Sequence, residues 1–202
     1  MSALETLFAA LEEQGWAVSD ELVDPALVAR LYRDSRAAWE GGLFHQARIG
    51  RGQEAARDPD IRGDSILWLD DAPVAGATQD FQAWAAGFRQ ALNARYYLGL
   101  KREEFHFSHY PVGTAYKKHL DQHRATEHRK ISLVLYLNPE WEQHDGGELV
   151  LYPPDGQASA LRQVLPQCAR LAVFRSDLIP HEVLPCRRTR WALTGWFRTD
   201  PA

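Results

Sequence analysis

Apolar residues recur at helical spacing in three stretches of the first hundred positions, and after about Glu103 the pattern changes to short alternating runs. Leu4, Leu7, Phe8 and Leu11 share one helical face, and Gly15 follows as a stop signal. Asp24-Pro25 has the character of a cap and first turn, with Leu27, Leu31 and Tyr32 on the inner face of the helix it opens. Phe81, Trp84, Phe88, Leu92 and Tyr96 predict a third helix over about Asp80 to Tyr97. These stripes are core-facing and carry no chemistry of their own.

The second half is rich in β-branched and aromatic residues punctuated by Pro, Gly and Asp, which predicts strands. They fall at Glu104 to Tyr110, Tyr116 to Leu120, Lys130 to Leu137, Glu148 to Tyr152, Arg162 to Leu165, Arg170 to Phe174, His181 to Leu184 and Arg190 to Phe197. Eight antiparallel strands fit a jelly roll, or double-stranded β-helix, in an α+β chain whose N-terminal helices pack on one outer face. A single domain over 1–202 is expected, with helical support and a substrate loop in 1–100 and the jelly-roll core in 101–202. Gly41 to Gly63 is rich in glycine and arginine and lacks periodicity. It reads as a long loop, and a lid over a substrate site is its functional form.

With 45% hydrophobic and 25% charged residues the chain can bury a core of domain size, and a net charge of -4 supplies no basic field for nucleic acid or anionic lipid. Glu5, Glu12 and Glu13 interrupt the N-terminal apolar runs, so no signal peptide is read there, and no stretch is long enough to span a membrane. Only Cys168 and Cys186 are present, too few for a disulfide framework. A cytoplasmic monomer with two ordinary thiols is expected.

The candidate chemistry begins at His119-Leu120-Asp121. Two residues apart on a strand, the imidazole and the carboxylate share a face and can share an ion. Alone this is weak, since a chain with these numbers of both residues produces such a pair by chance. His181, about sixty residues on at a predicted strand start, adds a second imidazole that a jelly roll can bring opposite the first. Two histidines and one carboxylate on one face of a metal leave positions open, as in non-haem Fe(II) oxygenases, although zinc accepts the same set. Arg190, inside an apolar strand, needs an anionic partner. Its guanidinium fork suits the distal carboxylate of 2-oxoglutarate, and it suits a structural carboxylate equally. Tyr110 and Tyr136 flank this region and are either packing residues or donors to that cosubstrate. His45, His106, His109, His123, His128 and His144 lack a comparable arrangement and read as surface or supporting residues.

The runs His109-Tyr110-Pro111, Gly113-Thr114, Tyr116 and His119-Leu120-Asp121 together resemble the iron-binding strand of HIF-type prolyl hydroxylases. The resemblance continues through Tyr136-Leu137-Asn138 with Trp141, Gly146-Gly147, Pro180-His181-Glu182-Val183 with Pro185, and Thr189-Arg190 with Thr194 and Trp196. Upstream, Ile61-Arg62-Gly63-Asp64 with Trp68 resembles the end of that family's mobile substrate loop, so the likeness runs from about Ile61 to Phe197. Collagen-type prolyl hydroxylases resemble the chain less, having lysine where Arg190 stands.

The resemblance implies iron bound by His119, Asp121 and His181, and 2-oxoglutarate bound by Arg190, Tyr136 and Tyr110 with a supporting hydroxyl from Thr194. It implies that Gly41 to Asp64 closes over a protein substrate, with Arg62 and Asp64 fixing the hinge and Arg129 and Trp196 lining the substrate entrance. The turn between Tyr110 and Tyr116 is one residue shorter than in the animal enzymes, and no C-terminal helix follows. The compact form resembles bacterial members, which are associated with a prolyl residue of elongation factor Tu. The implied reaction is hydroxylation of prolyl C4 by O2 with release of succinate and CO2, with ascorbate as an auxiliary reductant and oxygen sensing as a possible role. Two rivals stay open: an oxygenase of the same fold acting on a small molecule or a different side chain, and a binding module with a structural metal.

Overall fold

The computed structural model describes residues 1–47, 58, 60–72, 76–122, 126–157 and 159–201. Residues 48–57 and 59 of the expected lid, together with His123, lie outside the described residues. Three helices form: α1 (Ala3–Gln14), α2 (Pro25–Glu40) and α3 (Gly76–Tyr96). Ser2 caps α1 by accepting from the Glu5 amide at 3.2 Å, and Asp24 caps α2 by accepting from the Ala26 amide at 2.8 Å, with Pro25 supplying the first turn.

The strands are β1 (Trp16–Ser19), β2 (His45–Gln46), β3 (Ser65–Trp68), β4 (Arg102–Tyr110), β5 (Tyr116–His119), β6 (Arg129–Tyr136), β7 (Leu149–Leu151), β8 (Arg162–Val164), β9 (Leu171–Arg175), β10 (His181–Val183) and β11 (Arg190–Arg198). They build two antiparallel sheets, ordered β1-β9-β6-β11-β4-β3-β2 and β5-β10-β7-β8. All eight expected strands are present. The sheet also reaches back into the first hundred residues through β1, β2 and β3, which are too short to show a period. Their partners lie far away in the chain: β1 pairs with β9 and β3 with β4. The segment read as a loop from Gly41 therefore contains a strand, β2.

Alternation along the strands of the large sheet divides the core in two. Phe105, Phe107, Leu133, Leu135, Leu171, Val173, Leu193 and Phe197 face outward onto Leu7, Phe8, Leu31, Phe81, Phe88 and Leu92 of the helices. Tyr110, Val134, Tyr136, Ala172, Phe174 and Ala192 face inward onto Leu149, Leu151 and Val183 of the small sheet. Gly195 permits the close pairing of β11 with β4, because a Cβ there would overlap the Glu104 carbonyl oxygen and the Phe105 ring. The helices thus back the large sheet, and the second apolar layer, between the sheets, also takes in buried polar side chains such as Asp121, Ser132, His181 and Arg190. Among the described residues no helix is long and apolar enough to cross a membrane.

Candidate active site

His119 closes β5 directly opposite His181 at the start of β10. Asp121 follows two residues later and its carboxylate faces both rings, its Oδ1 3.5 Å from His119 Nε2 and its Oδ2 3.6 Å from His181 Nε2. All three donor atoms fall within 4.8 Å of one another, which fits a single metal ion. Both histidines bind backbone carbonyls through Nδ1: His119 to Lys117 at 2.7 Å and His181 to Ile179 at 3.1 Å. With those protons so placed, each Nε2 keeps its lone pair for a metal. Ser132 donates to Asp121 Oδ2 at 2.7 Å and lies 2.8 Å from the Ser176 hydroxyl, which fixes the carboxylate.

Burial works to raise the Asp121 pKa, but the adjacent His181 and His119 and the Ser132 hydroxyl outweigh it and hold the carboxyl well below its usual range. The His181 pKa is also lowered, to about 4, by burial in spite of Asp121, which in a base favours the neutral form. An anionic carboxylate and neutral imidazoles are the protonation states a divalent cation requires.

Deeper between the sheets lies Arg190, 2% exposed. Its Nε donates to the Gly147 carbonyl at 2.9 Å, and its guanidinium sits 4.9 Å from the centre of the Tyr110 ring and 5.1 Å from that of Tyr136. Among the described residues no carboxylate pairs with it, so the structural ion pair that its sequence position allowed does not form. The Tyr136 hydroxyl is buried without a hydrogen-bond partner. Burial raises both phenols, Tyr136 to about 12 and Tyr110 well above its ordinary value, so both remain protonated donors. A buried cation and a hydroxyl without a hydrogen-bond partner on the triad's side of the sheet have the chemistry to receive an anionic ligand. Thr194 lies on this same inner face, two alternations along β11 from Arg190.

Gly147 adopts φ 71°, and a Cβ there would stand 3.1 Å from Arg190 Cδ and 3.0 Å from Cys186 Cβ. Gly147→Ala is therefore expected both to strain the backbone and to displace the arginine. The expected result is a lower thermal midpoint together with weaker 2-oxoglutarate binding, read by calorimetric titration of the Mn(II)-loaded protein.

The other expected site residues are placed as follows. Arg62 binds both oxygens of the fully buried Asp64, at 2.7 and 3.0 Å. Arg129 lies 3.5 Å above the Trp196 ring and is clamped by Glu104, to which Nε donates at 2.9 Å. Glu104 also accepts from Arg198 at 2.6 Å. The sequence reading did not single out Ser132, Ser176 or Glu104. Ser132 was legible in principle, being a lone hydroxyl among apolar neighbours with the same parity as Tyr136. His106 and His109, read as surface or supporting residues, are both buried. His106 faces inward between Trp68 and Trp196, while His109 faces outward against Trp39 and Trp191. Tryptophans distant in sequence create both environments, so local pattern gave no warning.

These buried rings set an acid limit. His181 and His109 are lowered to about 4, and His106 well below its ordinary value, chiefly by burial. The unfolded chain takes up protons near 6.5, whereas the folded chain resists until the lower values are reached. Stability present above pH 6.5 is therefore lost as the pH falls from 6.5 towards 4. Scanning calorimetry of the metal-free protein is expected to show a midpoint about 5 °C or more lower at pH 5 than at pH 7.5.

Residues 105–198 match the 2OG-Fe(II) oxygenase superfamily, the segment that carries the triad and Arg190. The chain belongs to this superfamily. Within it, the chain is similar to prolyl hydroxylases: it is 36% identical to a Pseudomonas putida prolyl-4-hydroxylase of known structure, covering 98% of this chain and 99% of that one with a TM-score of 0.85. It is 30% identical over 203 residues to the hypoxia-inducible factor prolyl hydroxylase of Caenorhabditis elegans and 27% identical over 200 residues to human Egl nine homolog 1. Each alignment covers 96% of this chain, which spans 28% and 46% of the length of those two relatives. A Trichoplax adhaerens prolyl hydroxylase in complex with a hypoxia inducible factor peptide shares the fold, with a TM-score of 0.85 at 24% identity.

Proposed function

We propose that the chain is a prolyl 4-hydroxylase that oxidises a proline within a protein substrate, using O2 and 2-oxoglutarate and releasing succinate and CO2. The observation that carries the reading is Arg190, a buried guanidinium without a carboxylate partner among the described residues, placed on the triad's side of the sheet between two protonated phenols. His119, Asp121 and His181 are the residues that would hold Fe(II), and the donor set fits that ion. Bound iron supplies the oxidising power; the chain supplies position and exclusion of water. Arg190 receives the distal carboxylate of 2-oxoglutarate in its fork, while the Tyr136 and Tyr110 hydroxyls donate to the cosubstrate and Thr194 adds a supporting hydroxyl.

Trp196 and Arg129 form a flat wall for the substrate prolyl residue, and the Arg62–Asp64 pair fixes the chain that borders it. Similarity to a Pseudomonas prolyl-4-hydroxylase supports a bacterial type of substrate, and elongation factor Tu is the protein to test first. Two free thiols and a ferrous cofactor suit a reducing cytoplasm, where the chain acts as a monomer. A role in oxygen sensing follows if turnover scales with dissolved oxygen. The test incubates the protein with Fe(II), 2-oxoglutarate, ascorbate and purified elongation factor Tu, then with cell lysate. Succinate release and one added oxygen at a prolyl residue are expected. Succinate formed with a small molecule and with no protein would overturn the substrate class.

A further inference from the structure

His119 is the least enclosed member of the triad: its side chain is 20% exposed, against 8% for Asp121 and 7% for His181. It also stands on the weakest support. Strand β5 is the edge of the small sheet and pairs with β10 at two positions, with a shift in register between them. A residue so placed needs other contacts to hold one orientation.

Those contacts come from a column of side chains. The Tyr116 ring lies flat on the His119 ring, with centroids 3.8 Å apart and planes inclined by 17°. The Arg62 guanidinium lies 4.8 Å from the centre of the same tyrosine ring. Arg62 is itself fixed by two hydrogen bonds to Asp64, whose side chain is fully buried. Charge and geometry agree: a cation over a tyrosine ring is attracted to it, and Asp64 prevents that cation from swinging away. Burial alone would lower the Arg62 pKa, but Asp64 reverses this and raises it, so the cation is secure.

The backbone follows the same path. Arg62 forms a β-bridge with Tyr116, the Lys117 amide donates to the Ile61 carbonyl at 2.9 Å, and the Gly63 amide donates to the Ala115 carbonyl at 3.0 Å. Residues 61–63 thus cover the open edge of β5, and the chain then enters β3 of the large sheet. The column Asp64–Arg62–Tyr116–His119 ties the exposed ligand to both sheets.

We infer that Tyr116, backed by the Arg62–Asp64 pair, is a positioning residue for the metal, fixing the His119 ring with its Nε2 turned towards Asp121 and His181. Metal affinity then depends on residues that bear no metal-binding atom in the triad, and the Arg62–Asp64 pair serves metal retention besides bordering the substrate. The inference rests on His119 being a ligand.

The test measures Mn(II) affinity of the metal-free protein by paramagnetic resonance of the free ion, without any turnover. Tyr116→Phe keeps the stack and is expected to bind within about twofold of the parent, whereas Tyr116→Leu is expected to bind at least about tenfold more weakly. Arg62→Gln is expected to fall between them. Thermal unfolding of each metal-free variant separates the two effects, because a merely structural role lowers the midpoint and leaves affinity unchanged. Equal affinity of Tyr116→Leu and the parent overturns the inference. If Tyr116→Leu does not fold, Arg62→Gln decides, and parental affinity there overturns it. His119→Ala is the control for the underlying reading: if it binds Mn(II) as the parent does, the ligand assignment itself has failed, and the inference with it.

Discussion

Arg190→Ala is expected to raise the 2-oxoglutarate concentration for half-maximal turnover about a hundredfold or more, leaving Mn(II) affinity unchanged. The guanidinium is desolvated, and its fixed protein partners are the Gly147 carbonyl and the faces of two tyrosines. A dicarboxylate entering this site supplies the missing anion. Losing a charge-assisted, two-point contact in such surroundings costs about 2–5 kcal/mol, which corresponds to a factor of roughly thirty to several thousand. Arg190→Lys keeps the charge and loses the fork, so an intermediate value is expected. Succinate formation across a range of 2-oxoglutarate concentrations gives the answer, and an unchanged half-saturation point would remove Arg190 from the cosubstrate site.

The second large effect is expected at the carboxylate. Asp121→Ala should lower succinate formation by about a thousandfold or more and abolish measurable Mn(II) binding, because the two neutral imidazoles that remain supply no charge to offset that of the cation. The metal-free variant should still fold. Ser132 and Ser176 retain each other at 2.8 Å, so the variant leaves both buried hydroxyls partnered. Circular dichroism beside the metal titration distinguishes loss of the site from loss of the fold. Ser132→Ala, which only frees the carboxylate to turn, should show a smaller loss of affinity in the same titration.

The parts legible in the sequence were those written in local pattern. All three helices were legible because their apolar stripes and caps are contiguous: Leu4, Leu7, Phe8 and Leu11 before Gly15, for example. The eight later strands could be read because turn residues bracket alternating runs. The triad could be read from spacing: His181 opens a strand as expected, and Asp121 lies two residues after His119 as read, although β5 ends at His119 and the carboxylate stands just past it. What was hidden depends on contacts across long separations. Trp16 to Ser19 becomes a strand only through pairing with residues near Phe174. His106 becomes buried only because Trp68 and Trp196 close around it. The Glu104 clamp on Arg129 and Arg198 joins positions 25 and 94 residues apart, beyond the reach of any local motif.

The large sheet is a wall with hydrocarbon on both sides, and the two sides answer to different demands. Its outer pocketing by α1, α2 and α3 contains none of the triad and neither Arg190 nor Tyr136. Sequence libraries confined to the helix faces at Leu7, Leu31, Phe81 and Leu92 should therefore shift heat tolerance while selectivity stays as it was. Libraries aimed at Val134, Phe174 or Ala192 would alter what the cavity accepts, at some risk to folding. For an engineer, heat resistance and substrate choice can be evolved in separate rounds.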